Sequence, residues 1–158
     1  MYMNVSALLA KHLRDVYSGG NWTCVNMKES LSGVTWQDAI STVHTFNTIA
    51  TLVHHIHYYV VAQIQVLKGG QLNAKDELSF AHPFINSEAD WEQMLGRVFA
   101  DAEALALLIE QLPEENVWQY FADEKYGTYY RNLQGMIEHT HYHLGQITLI
   151  KKMLSESN

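Results

Sequence analysis

Leu133-Gln134-Gly135-Met136-Ile137-Glu138-His139-Thr140-His141-Tyr142-His143-Leu144-Gly145-Gln146-Ile147-Thr148-Leu149-Ile150-Lys151-Lys152-Met153-Leu154 is the stretch that decides the fold. Its apolar residues Leu133, Met136, Ile137, Leu144, Ile147, Ile150 and Leu154 recur at the three-and-four spacing of an amphipathic helix. At about 100° per residue, His139 and His143 stand one turn apart on that same apolar side. His141 falls instead beside Gln134 and Lys152, on the polar side. Lys151 and Lys152 suit the negative end of the helix.

Working toward the N-terminus, three more segments carry the same period. Val5, Leu8, Leu9, His12, Leu13, Val16 and Tyr17 mark a first helix, interrupted by Gly19-Gly20, and Trp22 to Leu31 can resume it. Thr35-Trp36 opens a short connecting segment. Asn47 can cap a second long helix over about Thr48 to Lys68, which Gly69-Gly70 stops. Residues 71–86 read as loop. Ser87 and Asp90 form a capping pattern for a third helix, marked by Trp91, Leu95, Val98, Phe99, Ala102, Leu105 and Ile109 and ended by Pro113 after Leu112. An irregular, aromatic-rich stretch with Trp118, Tyr120, Phe121 and Tyr126 leads into the fourth. No segment alternates with period two between hairpin turns, so an all-α fold is expected: a four-helix bundle, up-down-up-down or, with a crossover in the link over 69–86, up-down-down-up.

The bulk numbers bound the function. A chain of 158 residues, 47% apolar and 17% charged, is an ordinary globular protein, expected to form one domain over 1–158. Ten Lys and Arg against 17 Asp and Glu give a formal charge of -7, which repels polyanions and argues against nucleic acid as a partner. The N-terminal MYMNVSALLAKHLRD has too short an apolar run for a signal peptide, and no window approaches the roughly 18 apolar residues of a membrane span, so a soluble cytoplasmic protein is expected. Cys24 is the single cysteine, which excludes an internal disulfide; it is expected to be a small buried hydrophobe.

Six of the nine histidines fall in two windows, His54, His55 and His57 on the second helix and His139, His141 and His143 on the fourth. Two imidazoles one turn apart on an apolar face are either a metal chelate or hydrogen-bonded core residues, and the i, i+4 spacing is the one that helical metal sites use. On the second helix the apolar stripe runs through Ile49, Val53, Ile56, Val60 and Leu67. His55 and His57 flank it on opposite edges, while His54 points away. Periodicity does not choose between His55 and His57. Either completes a three-histidine set suited to a borderline divalent ion such as Zn, Ni or Fe, with coordination positions left open for chemistry.

Leu52-Val53-His54-His55 and His139-Thr140-His141-Tyr142-His143-Leu144-Gly145-Gln146-Ile147 are the motifs by which the chain, over nearly its whole length, resembles the DinB/YfiT-like superfamily. That resemblance implies a four-helix bundle in which His55, His139 and His143 hold one divalent metal ion. It also implies a homodimer, and makes Gly145 look like a point of close helix approach. Relatives include metal-dependent S-transferases and isomerases that use low-molecular-weight thiols. The implied activities are thiol S-transfer to an electrophilic small molecule, or hydrolysis by the same metal; the alternative is a non-catalytic metal-binding stress or assembly protein. For assembly, Trp22, Trp36, Trp118, Tyr120, Phe121, Tyr129 and Tyr130 are candidate surface aromatics, though each also suits the core. A pH-sensing His cluster without metal is a third reading. Asp123, Glu124 and Glu138 read as solvated charge, and Ser-His-Asp arrangements, phosphate loops and dinucleotide fingerprints are absent.

Overall fold

The computed structural model describes residues 4–156, so the first three residues of the N-terminal segment and the last two of the chain lie outside it. Among the described residues the protein is all-helical: α1 (Val5–Ser18), α2 (Met27–Leu31), α3 (Trp36–Ile40), α4 (Ile49–Leu67), α5 (Asp76–Ser79), α6 (Glu88–Glu110) and α7 (Tyr129–Glu156), with two 3-10 turns at Glu114–Trp118 and Glu124–Tyr126. No strand forms among them beyond an isolated bridge between Tyr120 and Thr128. Among the described residues no helix is long and apolar enough to cross a membrane.

Each long helix starts where a side-chain oxygen can take an orphan backbone N–H. Asn4 accepts from Ala7 N at 2.8 Å. Ser87 accepts from Asp90 N, and the Asp90 carboxylate takes Asn86 N and the Ser87 hydroxyl in return. The cap of α4 is Thr48, which accepts from Thr51 N; it displaces the expected Asn47 because its hydroxyl sits one residue closer to the first turn. The expected resumption after Gly20 begins late. Asn26 caps α2, and Trp22 is 99% exposed. The fourth long helix starts at Tyr129, earlier than its apolar period reveals, and α5 interrupts the stretch read as loop.

The four long helices carry the core. α1 packs against α6 and α7, and α4 packs against the same two, so α1 faces α4 across the interior. The Ser6 hydroxyl donates to Leu112 O at one end while Arg14 bonds both Glu103 and Glu110 further along, so α1 and α6 run antiparallel. Gln63 Nε2 reaches Asn132 O while His55 meets His139, so α4 and α7 are antiparallel too. The connection over 19–48 closes one end, with α2 against α1 and α7, and α3 against α4 and α6. Leu13, Ile49, Ile56, Leu105, Leu133 and Ile147 are fully buried, each contributing about 1.5–3 kcal/mol by leaving water. Trp91 joins them, its indole N–H donating to Val34 O at 3.1 Å and tying α6 to the α2–α3 connection. His12, which shares the spacing of the first helix, lies exposed at the edge of the α1 stripe.

Candidate metal centre

The antiparallel pairing of α4 and α7 sets the middle of α7 against the first half of α4. His139 and His143 project from α7 one turn apart, and buried His55 meets them from α4. His139 Nε2 lies 3.0 Å from His55 Nε2 and 3.0 Å from His143 Nε2, and one ligand nitrogen from each ring falls within 4.8 Å of the others. Among the described residues this is the one cluster of three or more metal-type side chains.

The packing of neighbouring elements separates His55 from His57. His57 Nε2 is held by Asp101 Oδ2 of α6 at 2.7 Å, on the opposite edge of α4. His54 turns from the triad toward Tyr58 and His82, and burial lowers its pKa. His141 stays outside as well, 3.4 Å from the Thr23 hydroxyl.

The far nitrogens of two of the rings fix which way their lone pairs point. The Ser79 hydroxyl donates to Asp76 O at 2.6 Å, so its oxygen is left to accept from His55 Nδ1–H at 2.7 Å. His143 Nδ1 lies 2.7 Å from the Gln146 carbonyl oxygen Oε1, an acceptor only, and must donate as well. With one proton per neutral ring, His55 and His143 both turn bare Nε2 lone pairs on His139 Nε2. That nitrogen carries one hydrogen or one lone pair and satisfies at most one of its two 3.0 Å neighbours. A cation between the three satisfies all of them. Imidazoles whose outer N–H is pinned in this way are the arrangement found around protein-bound metals.

Electrostatics keep His55 and His139 neutral. Burial, then His143 and His55, pull the His139 imidazole down to about 4. Burial followed by His143 also lowers His55. Both rings thus hold their lone pairs at neutral pH, as a group that could hold a metal ion requires.

The short helix α5, with the residue after it, supplies the support that the sequence did not reveal. Ser79 is fully buried on His55; Phe80 stacks on the same ring at 4.2 Å between centroids; Asp76 accepts the Tyr59 hydroxyl at 2.7 Å. Burial and that carboxylate push the Tyr59 phenol up to about 12, so it stays a donor. Beside the triad opens a cleft of about 510 Å³, with His55 and His139 at one end, Asp76, Tyr59 and Glu138 on its walls, and Arg131 further along α7.

Several expectations about single residues are corrected. Gly145 is exposed, with nothing within 4 Å of a Cβ built on it, so no helix approaches there. Cys24 is exposed rather than buried, because it sits in a turn with φ 53 outside the α1 and α2 stripes. Glu138, Asp123 and Glu124 are exposed, as their reading as solvated charge expects; Glu138 also borders the cleft, Asp123 caps a 3-10 turn and Glu124 accepts from the Tyr120 hydroxyl. Of the aromatics, Phe121 is core, while Trp118, Tyr120 and Tyr130 are exposed.

Compared with protein-family models, with curated proteins and with solved structures, the chain matches none.

Proposed function

We propose that this protein binds one divalent metal ion, Zn, Ni or Fe, through His55, His139 and His143, and uses it in thiol S-transfer to, or hydrolysis of, a small molecule. The observation that carries this reading is the outward pinning of His55 by Ser79 and of His143 by Gln146, which commits both Nε2 lone pairs to one point. An ion held there by His55, His139 and His143 would supply a Lewis acid able to lower the pKa of a thiol or water. The chain's own residues do the rest. Phe80 and the α5 turn shield His55 from solvent on one side, and the cleft gives access on another. Asp76, fixed by the Tyr59 hydroxyl, stands at the cleft wall beside His55 and His139, where its carboxylate can take the proton that the nucleophile releases.

The same reading places the chain with the DinB/YfiT-like superfamily as a cytoplasmic up-down-down-up bundle. It is supported by the antiparallel α1–α6 and α4–α7 pairs and by the motifs around His55 and His139 to His143. Elemental analysis of the purified protein beside His55→Ala and His143→Ala is the test. About one equivalent of metal in the wild type, lost in both variants, is expected; no metal in any of them after incubation with Zn or Ni would end the proposal. Loss of thiol-dependent turnover in His143→Ala, with helicity intact, would then tie the ion to chemistry.

A second reading, a non-catalytic metal protein of assembly, draws on one observation. Trp118 stacks on Tyr130 at 5.3 Å between centroids and both stand exposed, with Tyr120 close in sequence and exposed too. Under this reading the metal-loaded protein is a homodimer that dissociates on Trp118→Ala and turns over neither thiols nor esters.

A further inference from the structure

The cleft beside the triad follows one side of α7. Arg131, Gly135 and His139 lie at i, i+4 and i+8, and all three line it. Eight residues of helix span about 12 Å, so Arg131 places a cation roughly one small molecule's length from the triad.

Three features make Arg131 an anchor rather than a passing surface charge. Its guanidinium is held from one side, Nη1 donating to Tyr126 O at 2.9 Å, and it forms no ion pair among the described residues. Its stem lies on Gly127, where a built Cβ would come within 2.9 Å of Arg131 Cδ, so the turn fits that side chain. Among the described residues it is also the one cation lining the cleft, in a protein of formal charge -7. The remaining guanidinium N–H groups retain the fork that recognises a carboxylate.

Gly135 keeps the passage between the two ends open. A Cβ built there meets nothing within 4 Å, so any side chain would project into free space along the cleft. Asp76 and Glu138 on the walls disfavour a multiply charged anion, and the single Arg131 charge matches a single carboxylate.

We infer that the cleft binds an elongated small molecule bearing one carboxylate, which docks on Arg131 while the molecule's reactive end passes Gly135 to reach the His55–His139–His143 centre. The inference rests on the metal reading for the role of that end, but the Arg131 subsite does not require the ion.

The probes are 6-mercaptohexanoate and the uncharged 6-mercaptohexanol, titrated calorimetrically into Zn-loaded protein. Wild type is expected to prefer the carboxylate about tenfold, the effect of one charge-assisted pair. Arg131→Gln should bind both thiols alike, and Gly135→Leu should bind neither, with one Zn per chain retained in both variants. Equal binding of the two probes by the wild type, or a preference that survives Arg131→Gln, overturns the subsite.

A second arm separates this failure from failure of the metal site. Hexanoate added to metal-free wild type should shift the Arg131 side-chain Nε–H resonance, and hexanol should not. A shift in a protein that takes up no Zn would uphold the anchor while removing the metal chemistry. No shift would overturn the anchor whatever the metal content.

Discussion

Ser79 accepts the Nδ1 proton of His55 at 2.7 Å and hands its own hydroxyl hydrogen to the Asp76 carbonyl, so a four-residue helix decides which nitrogen of a distant ring is bare. Removing that hydroxyl leaves the His55 ring free to rotate or change tautomer. Ser79→Ala is expected to weaken Zn binding by about 10–100-fold, and Gln146→Leu to do the same through His143. Competition against a chromophoric chelator measures both, with far-ultraviolet circular dichroism as the control for folding. Wild-type affinity in the two variants would mean that the rings need no such orientation.

The depressed His139 and His55 pKa values give the metal-free protein a defined pH response. A ring lowered in the folded state binds its proton more readily when unfolded, so its stabilising contribution is complete above the ordinary histidine pKa near 6.5 and is lost as pH falls toward the folded value. For His139 that window runs from about 6.5 down to about 4. The urea midpoint of metal-free protein should fall across that window, and more shallowly in His139→Gln. A midpoint that rises as pH drops would show the opposite sign and contradict the burial of neutral rings.

The α7 half of the centre was legible because one turn of helix fixes two side chains without help from tertiary structure. His139 and His143 needed only the period of Met136, Ile147 and Ile150 to be placed. The α4 half was not. His55 and His57 flank one stripe symmetrically, and what separates them arrives from elsewhere in the chain: Asp101 on α6 for His57, Ser79 on α5 for His55. The helix α5 itself, Asp-Glu-Leu-Ser with no side-chain cap, is too short to show a period and is held by its packing on α4. Asn47 and Thr48 are adjacent residues that both favour N-caps, so composition alone placed that helix start only to within one position.

Cys24 shows the same limit from the other side. Composition favours burial for a lone cysteine, yet the turn over residues 21–25 holds it at φ 53 and leaves it exposed. Titration of the folded protein with a chromogenic disulfide should therefore release one equivalent of thiolate without denaturant. Release only after unfolding would return Cys24 to the core.

Two glycines make opposite predictions from the same measurement. Gly145 lies mid-helix on α7, exposed, with open space where a Cβ would stand, so Gly145→Ala gains helix propensity and loses no contact. It should raise stability by about 0.5–1 kcal/mol and leave metal binding unchanged. Gly127 has φ 75 and ψ -160, a region essentially reserved to glycine, and a Cβ there would come within 2.9 Å of Arg131 Cδ. Gly127→Ala should cost about 1–3 kcal/mol and, by displacing Arg131, weaken carboxylate binding in the cleft while sparing the triad. Urea denaturation of the two variants reads both signs. A stabilised Gly127→Ala would show that the turn relaxes freely and that Arg131 is not seated by it.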